Sequence, residues 1–179
     1  MIGRMEAPTT PLSPSATSIA SPRREYVARE ERSSVAGETG YRRLLLATDL
    51  SRTSERAADE AIRLAVDSGA LLVVFCALDP GRLRLPGGAF RVRVDQERAR
   101  IDKAVQTLVN RARQAGASAT FLVWEGEPAE SILAASESED VDTIVLGSHG
   151  RGLLGRLVLG SVSARVSELA RCRVLVVAA

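Results

Sequence analysis

TIVLGSHGRGLLGRLVLGS, from Thr143 to Ser161, carries the strongest fold signal in the chain. Its opening residues, Thr143-Ile144-Val145-Leu146, form the short apolar run expected of a strand buried on both faces. A glycine-punctuated loop follows, and Ser161 then opens a segment with Val162, Val166 and Leu169 at helical spacing. Strand, glycine loop, helix is the order in which a chain builds an anion cradle from its own backbone. Glycine lets the chain approach an anion closely, and the first N–H groups of the helix have no carbonyl of their own to bond.

Outward from this stretch the pattern alternates. Leu44 to Thr48 reads as a strand, and Ser51 to Ser68 as a helix with Ala58, Ala61, Ile62 and Ala65 on one face and a stop at Gly69. Leu71 to Leu78 is a second, wholly apolar strand. A loop containing Pro80, Gly81, Pro86, Gly87 and Gly88 leads to a long helix from about Val94 to Gln114, with Ile101, Val105, Leu108 and Val109 as its stripe and Gly116 at its end. Ala119 to Trp124 is a third strand. Pro128 opens the next helix, where its missing N–H costs nothing; Ile132 and Leu133 face inward, and Ser136 to Asp140 reads as a solvated acidic turn. Arg173 to Val177 closes as a fifth strand after the helix from Ser161. This alternation predicts an α/β fold, a single open five-stranded parallel sheet with helices on both faces.

Residues 41–179 therefore form one domain, and residues 1–40 are a different regime, rich in Pro, Ser and Thr and then charged without periodicity. Such a segment buries too little apolar area to offset its ordering entropy, so it is expected to be a disordered extension, with Met5 an alternative start. Its five arginines and five glutamates cancel, which removes the case for a basic nucleic-acid arm. The whole chain carries a net charge of +2 with 3% aromatic residues, and that too argues against a nucleic-acid surface. No apolar run is long enough to cross a membrane and no secretory signal is present, so a cytoplasmic location is expected. Cys76 and Cys172 lack metal-ligand spacing and read as small buried hydrophobes in a reducing compartment.

In an open parallel sheet, ligands bind beyond the carboxyl ends of the strands where the strand order reverses. Asp49, Asp79 and Gly147 all follow strands in this way. The sharper signal is spacing: Gly147, two residues, Gly150, nine residues, then Gly160-Ser161, or G-x2-G-x9-G-S. With LLLATDLSRTSERAADEA, GEPAESI and the closing CRVLVV, this motif resembles the ATP-binding branch of the universal stress protein family, from Arg43 to Val177.

The resemblance implies a Rossmann-like fold of the adenine nucleotide alpha hydrolase-like kind, with strand order 3-2-1-4-5. It implies that ATP is the ligand, with Mg2+ held mainly by the phosphates. Gly147 and Gly150 would line ribose and phosphates, and Gly160, Ser161 and Val162 would bind the phosphate chain. Asp49, flanked by Ala47 and Thr48, would meet the nucleoside end, and the backbone of Ala77 would read the adenine edge. His149 and Arg151 either approach the phosphates or shape the turn. Plainer roles stand beside these. The glycines suit an ordinary loop, Asp49 suits a cap on the first helix, Arg151 and Arg156 suit solvent, and Trp124 suits the core or a strand end.

Catalytic machinery is sparse. No Ser/His/Asp set is evident, and the P-loop pattern with its lysine does not occur. The expectation is a nucleotide-dependent regulatory module, with a slow nucleotide hydrolase or a nucleotide-free interaction module as alternatives. The family implies a homodimer paired through the last strand, Arg173 to Val177, and an unidentified regulatory protein partner. Arg173 stands where the family usually has proline, which restores a backbone donor.

Overall fold

The computed structural model describes residues 40–83, 90–148 and 159–178. Five strands, β1 (Arg43–Ala47), β2 (Leu71–Leu78), β3 (Ser118–Glu125), β4 (Thr143–Gly147) and β5 (Arg173–Val177), alternate with helices α1 (Glu55–Ser68), α2 (Phe90–Gln114), α3 (Pro128–Ser138) and α4 (Ser161–Leu169). The sheet is wholly parallel in the order β3-β2-β1-β4-β5, so the fold class and strand order expected from the sequence are both present.

Alternation along the strands divides the core into two layers. Leu44, Leu46, Leu72, Val74 and Cys76 face α1 and α2, while Leu45, Ala47, Val73, Phe75, Ile144 and Leu146 face α3 and α4. Both faces are covered, which is why β1 and β4 show no polar alternation. Helix α1 lies against the sheet on Ala57, Ala58, Ala61 and Ala65, all buried, since a methyl-sized stripe permits close approach. Trp124 meets Phe75 edge-on, with ring centroids 5.8 Å apart, at the end of the second layer.

Several boundaries differ from the sequence reading, each for a local reason. Arg52–Ser54 forms a tight three-residue turn, so α1 begins at Glu55 instead of Ser51. Helix α2 starts at Phe90, a turn before Val94, on residues that face solvent and so carry no core stripe. The expected acidic turn at Ser136 to Asp140 shrinks to its last two residues. Ser136 is buried inside α3, and its hydroxyl donates to Leu133 O at 2.7 Å. In α4 the inward face carries Ser163 and Val166, with Val162 half-buried and Leu169 half-exposed, so the stripe is rotated from the one expected. Cys76 is buried as expected, whereas Cys172 is only half-buried; burial still pushes its thiol up, which favours the protonated form.

The β3–α3 turn is held by Gly126, whose N–H donates to Leu78 O at 2.9 Å. Its φ is +157°, and an added Cβ would lie 2.7 Å from Ser131 Oγ. Gly126→Ala is therefore expected to cost about 2 kcal/mol of stability, the scale of a strained backbone position. Urea denaturation followed by Trp124 fluorescence checks this; an unchanged midpoint would contradict the turn geometry.

Candidate functional site

Strand β1 ends at Ala47, opposite Phe75 on one side and Leu146 on the other. Thr48 N–H still donates to Phe75 O at 3.0 Å, and the chain then turns away. Strand β2 continues to Leu78 and β4 to Gly147. A cleft of about 490 Å3 opens in the space β1 has left. That volume falls within the range of about 300–1,000 Å3 typical of small-molecule sites.

The turn after β1 is built from short polar side chains. Thr48 Oγ1 accepts from Leu50 N–H at 3.0 Å and lies 2.9 Å from Ser54 Oγ. This holds Leu50 at φ +60°, a conformation that L residues adopt at a cost of about 1–2 kcal/mol. Asp49 Oδ1 accepts from Ser51 N–H at 3.1 Å and from Ser51 Oγ–H at 2.6 Å. Asp49 thus closes a local turn, and α1 itself, whose N-cap is Ser54, has no side-chain cap. The alternative role of Asp49 as a helix cap is replaced by this turn.

Opposite, α4 begins at the cleft. Gly160 is its N-cap and brings no side chain to cap it, and Ser161 is exposed. The N–H groups of its first turn therefore face the cavity with the positive end of the helix dipole behind them. Gly160 has φ −63° and ψ 156°, which any residue adopts, so its value is the room it leaves and not its conformation. Ala77, on β2, lies beyond the end of β1. Backbone groups of alternate residues point the same way along a strand, so its N–H and C=O face the side where Phe75 O meets Thr48, with no strand opposite.

Ala47, Thr48, Asp49, Ala77, Gly147, Gly160, Ser161 and Val162 all line this one cleft, although they come from four separate segments. His149, Gly150 and Arg151 lie outside the described residues. The cleft adds residues that the sequence reading did not assign to a site. Glu97 and Ile101, one turn apart, come from α2; Pro128 and Ile132 come from α3; Ser163 comes from α4. Glu97 and Ile101 share a helix face, but Ile101 alone reads as core. Arg82, in the turn after β2, pairs with Asp79 at 3.3 Å, and Asp79 Oδ1 also accepts from Gly81 N–H at 2.9 Å. Among the described residues no group of three or more His, Cys, Asp or Glu side chains is placed to hold a metal ion. Within the same residues no helix is long and apolar enough to cross a membrane.

Comparison with known proteins places this geometry. The model of the universal stress protein family matches residues 40–178. A universal stress protein of Methanocaldococcus jannaschii is 32% identical over 143 residues, covering 79% of this chain and 84% of that protein. Among solved structures, the universal stress protein UspA from Lactobacillus plantarum superposes with a TM-score of 0.69 at 25% identity, covering 76% of this chain and 97% of that one. A universal stress protein crystallised in complex with cAMP superposes with a TM-score of 0.59 at 27% identity, covering 77% of this chain and 97% of that one. The parallel order β3-β2-β1-β4-β5, the cleft where β1 ends and these matches together make the chain a member of the universal stress protein family.

Proposed function

We propose that the cleft binds an adenine nucleotide, ATP with Mg2+ held mainly by its phosphates, and that the protein acts as a nucleotide-dependent regulatory module. The observation that carries this reading is the first turn of α4 facing a cavity whose other wall offers the backbone of Ala77, beyond the end of β1. Adenine presents an acceptor, N1, beside a donor, the N6 amine; a strand N–H and C=O match that edge. The phosphates would meet Gly160, Ser161 and Val162, where N–H groups and the helix dipole favour negative charge. Gly147 and Asp49 line the cleft between these ends, on the path of the ribose. The cAMP complex of a related universal stress protein supports an adenine nucleotide as the ligand class. With no metal-holding cluster among the described residues, Mg2+ would depend on phosphate oxygens for most of its ligands.

The second part of the proposal is a homodimer paired through β5, which regulates an unidentified protein partner. Strand β5 is an edge of the sheet, and its Val174, Leu175, Val176 and Val177 are only partly buried. An apolar unpaired edge is a template for another strand. The charges of Arg171 and Arg173 near its start are met within the chain. Arg171 pairs with Glu137 at 3.3 Å; Arg173 lies 3.6 Å from Asp142, donates to Gly40 O and stacks 4.7 Å over the Tyr41 ring. Repulsion between two such strands is correspondingly reduced.

Two measurements test these readings. Calorimetry with Mg-ATP should give saturable binding, weakened about tenfold or more in Gly160→Ala, because a methyl group would stand where backbone meets phosphate. That variant should melt like the parent, since its backbone angles suit alanine. Folded protein that binds no adenine nucleotide, or a variant with parental affinity, sinks the proposed site. For the dimer, Val177 O and Arg173 N–H point to β4, so the N–H of Val176 faces the open edge. Val176→Pro should leave the sheet bonds intact and convert the dimer to a monomer in sedimentation equilibrium; a dimer that survives would move the interface elsewhere.

A further inference from the structure

The ends of the β4–α4 connection are fastened to each other independently of the loop between them. Gly160 N–H donates to Ser148 O at 2.8 Å, and Ser148 N–H donates to Val177 O at 2.8 Å, tying both to β5. A third bond is the one that matters for a ligand: Ser163 Oγ donates to Gly147 O at 2.8 Å. Ser163 is 4% exposed, in the first turn of α4. Within one trans peptide, C=O and N–H point in opposite directions. Since Ser148 N–H points to β5, Gly147 C=O points toward β1, which has already ended opposite Leu146. That carbonyl is a strand acceptor with no strand to serve it, at the wall of the cleft.

Resting on the nucleotide reading above, we infer that Ser163 is the positioning residue of the phosphate-binding turn. Its hydroxyl does two things. It fixes the first turn of α4 against the end of β4, so that the helix N–H groups point at one place in the cleft. It also occupies the negative end of the Gly147 carbonyl dipole, which would otherwise face the same space as an incoming phosphate. A serine in the first turn of a helix commonly turns its hydroxyl to the local backbone as a cap. Here it spans to another element and, among the described residues, does not cap the helix N–H groups at the cleft. Val166, three residues on, is fully buried and holds the same helix face to the sheet. The serine therefore acts through the turn and touches the phosphates only by way of it.

The test compares ligands that differ in phosphate alone. Mg-ATP and adenosine are titrated by calorimetry into the full-length parent, into Ser163→Ala, and into Ser163→Cys, which keeps nearly the same size with a weaker donor. Thermal melts establish that each is folded. Removal of one hydrogen bond should weaken Mg-ATP about three- to tenfold in both variants. Adenosine affinity should stay within about twofold, because it makes no use of the turn. A folded variant that keeps parental ATP affinity overturns the inference, as does one that loses ATP and adenosine in the same proportion, which is a packing effect only. If the folded parent binds neither ligand, the nucleotide reading itself fails and this inference falls with it. Parental binding that the variants leave untouched removes only the role of Ser163.

Discussion

Strand β1 stops before its neighbours do, and the candidate site depends on that early stop. A strand supplies hydrogen-bond partners to the strands on both sides of it. Where it ends, both neighbours are left with backbone groups that face one another across a gap. Here the gap receives Ala77 from β2 and Gly147 from β4. It is also where strand order reverses, since α1 carries the chain to one side of β1 and α3 returns it to the other. Thr48 and Asp49 spend their polar atoms on turning the chain sharply out of the sheet. Without that turn β1 would continue and close the cleft with ordinary ladder bonds.

The opposite end of the sheet is organised with as much economy. The Asp142 carboxylate accepts from Arg42 N–H at 2.7 Å, Arg43 N–H at 2.9 Å and Thr143 Oγ1–H at 3.0 Å, and lies beside Arg173. One half-buried carboxylate thereby fixes the starts of β1, β4 and β5 relative to one another. Charge-assisted bonds to backbone N–H groups are stronger than neutral ones, and they set strand register at the amino ends. With the starts aligned, the unequal strand lengths decide which backbone groups are left open at the carboxyl ends. The polar clasp of Ser148, Gly160 and Ser163 then seats α4 over that opening.

Much of this was legible in the sequence because burial on both faces leaves a plain record. A strand such as LLVVFCAL has no other place to be, and helices whose stripes face the sheet repeat their apolar residues on schedule. The record is poor where a segment faces solvent. The first turn of α2 shows no stripe to read, and Ser136 looks like part of a polar turn although its hydroxyl is satisfied inside α3. The glycine spacing brought Gly147, Gly160 and Ser161 forward, and they do line one cleft. Ser163 and Glu97 carry no such signal. A serine on a helix and a glutamate among arginines have many uses, and only their neighbours in space select one.

Local patterning in the chain was enough for the alternation of strands and helices, the two-layer core and the segments that end at the cleft. Each of these follows from local periodicity and from the cost of leaving apolar surface in water. Where β1 stops relative to β2 and β4, how α4 is rotated and which carbonyl Ser163 meets emerge only in the folded molecule. Those are matters of register between segments distant in the chain, set by hydrogen bonds whose partners lie 16 residues apart for Ser163 and about 100 for Asp142. No local pattern encodes such a distance, and it is fixed only when the strands are laid side by side.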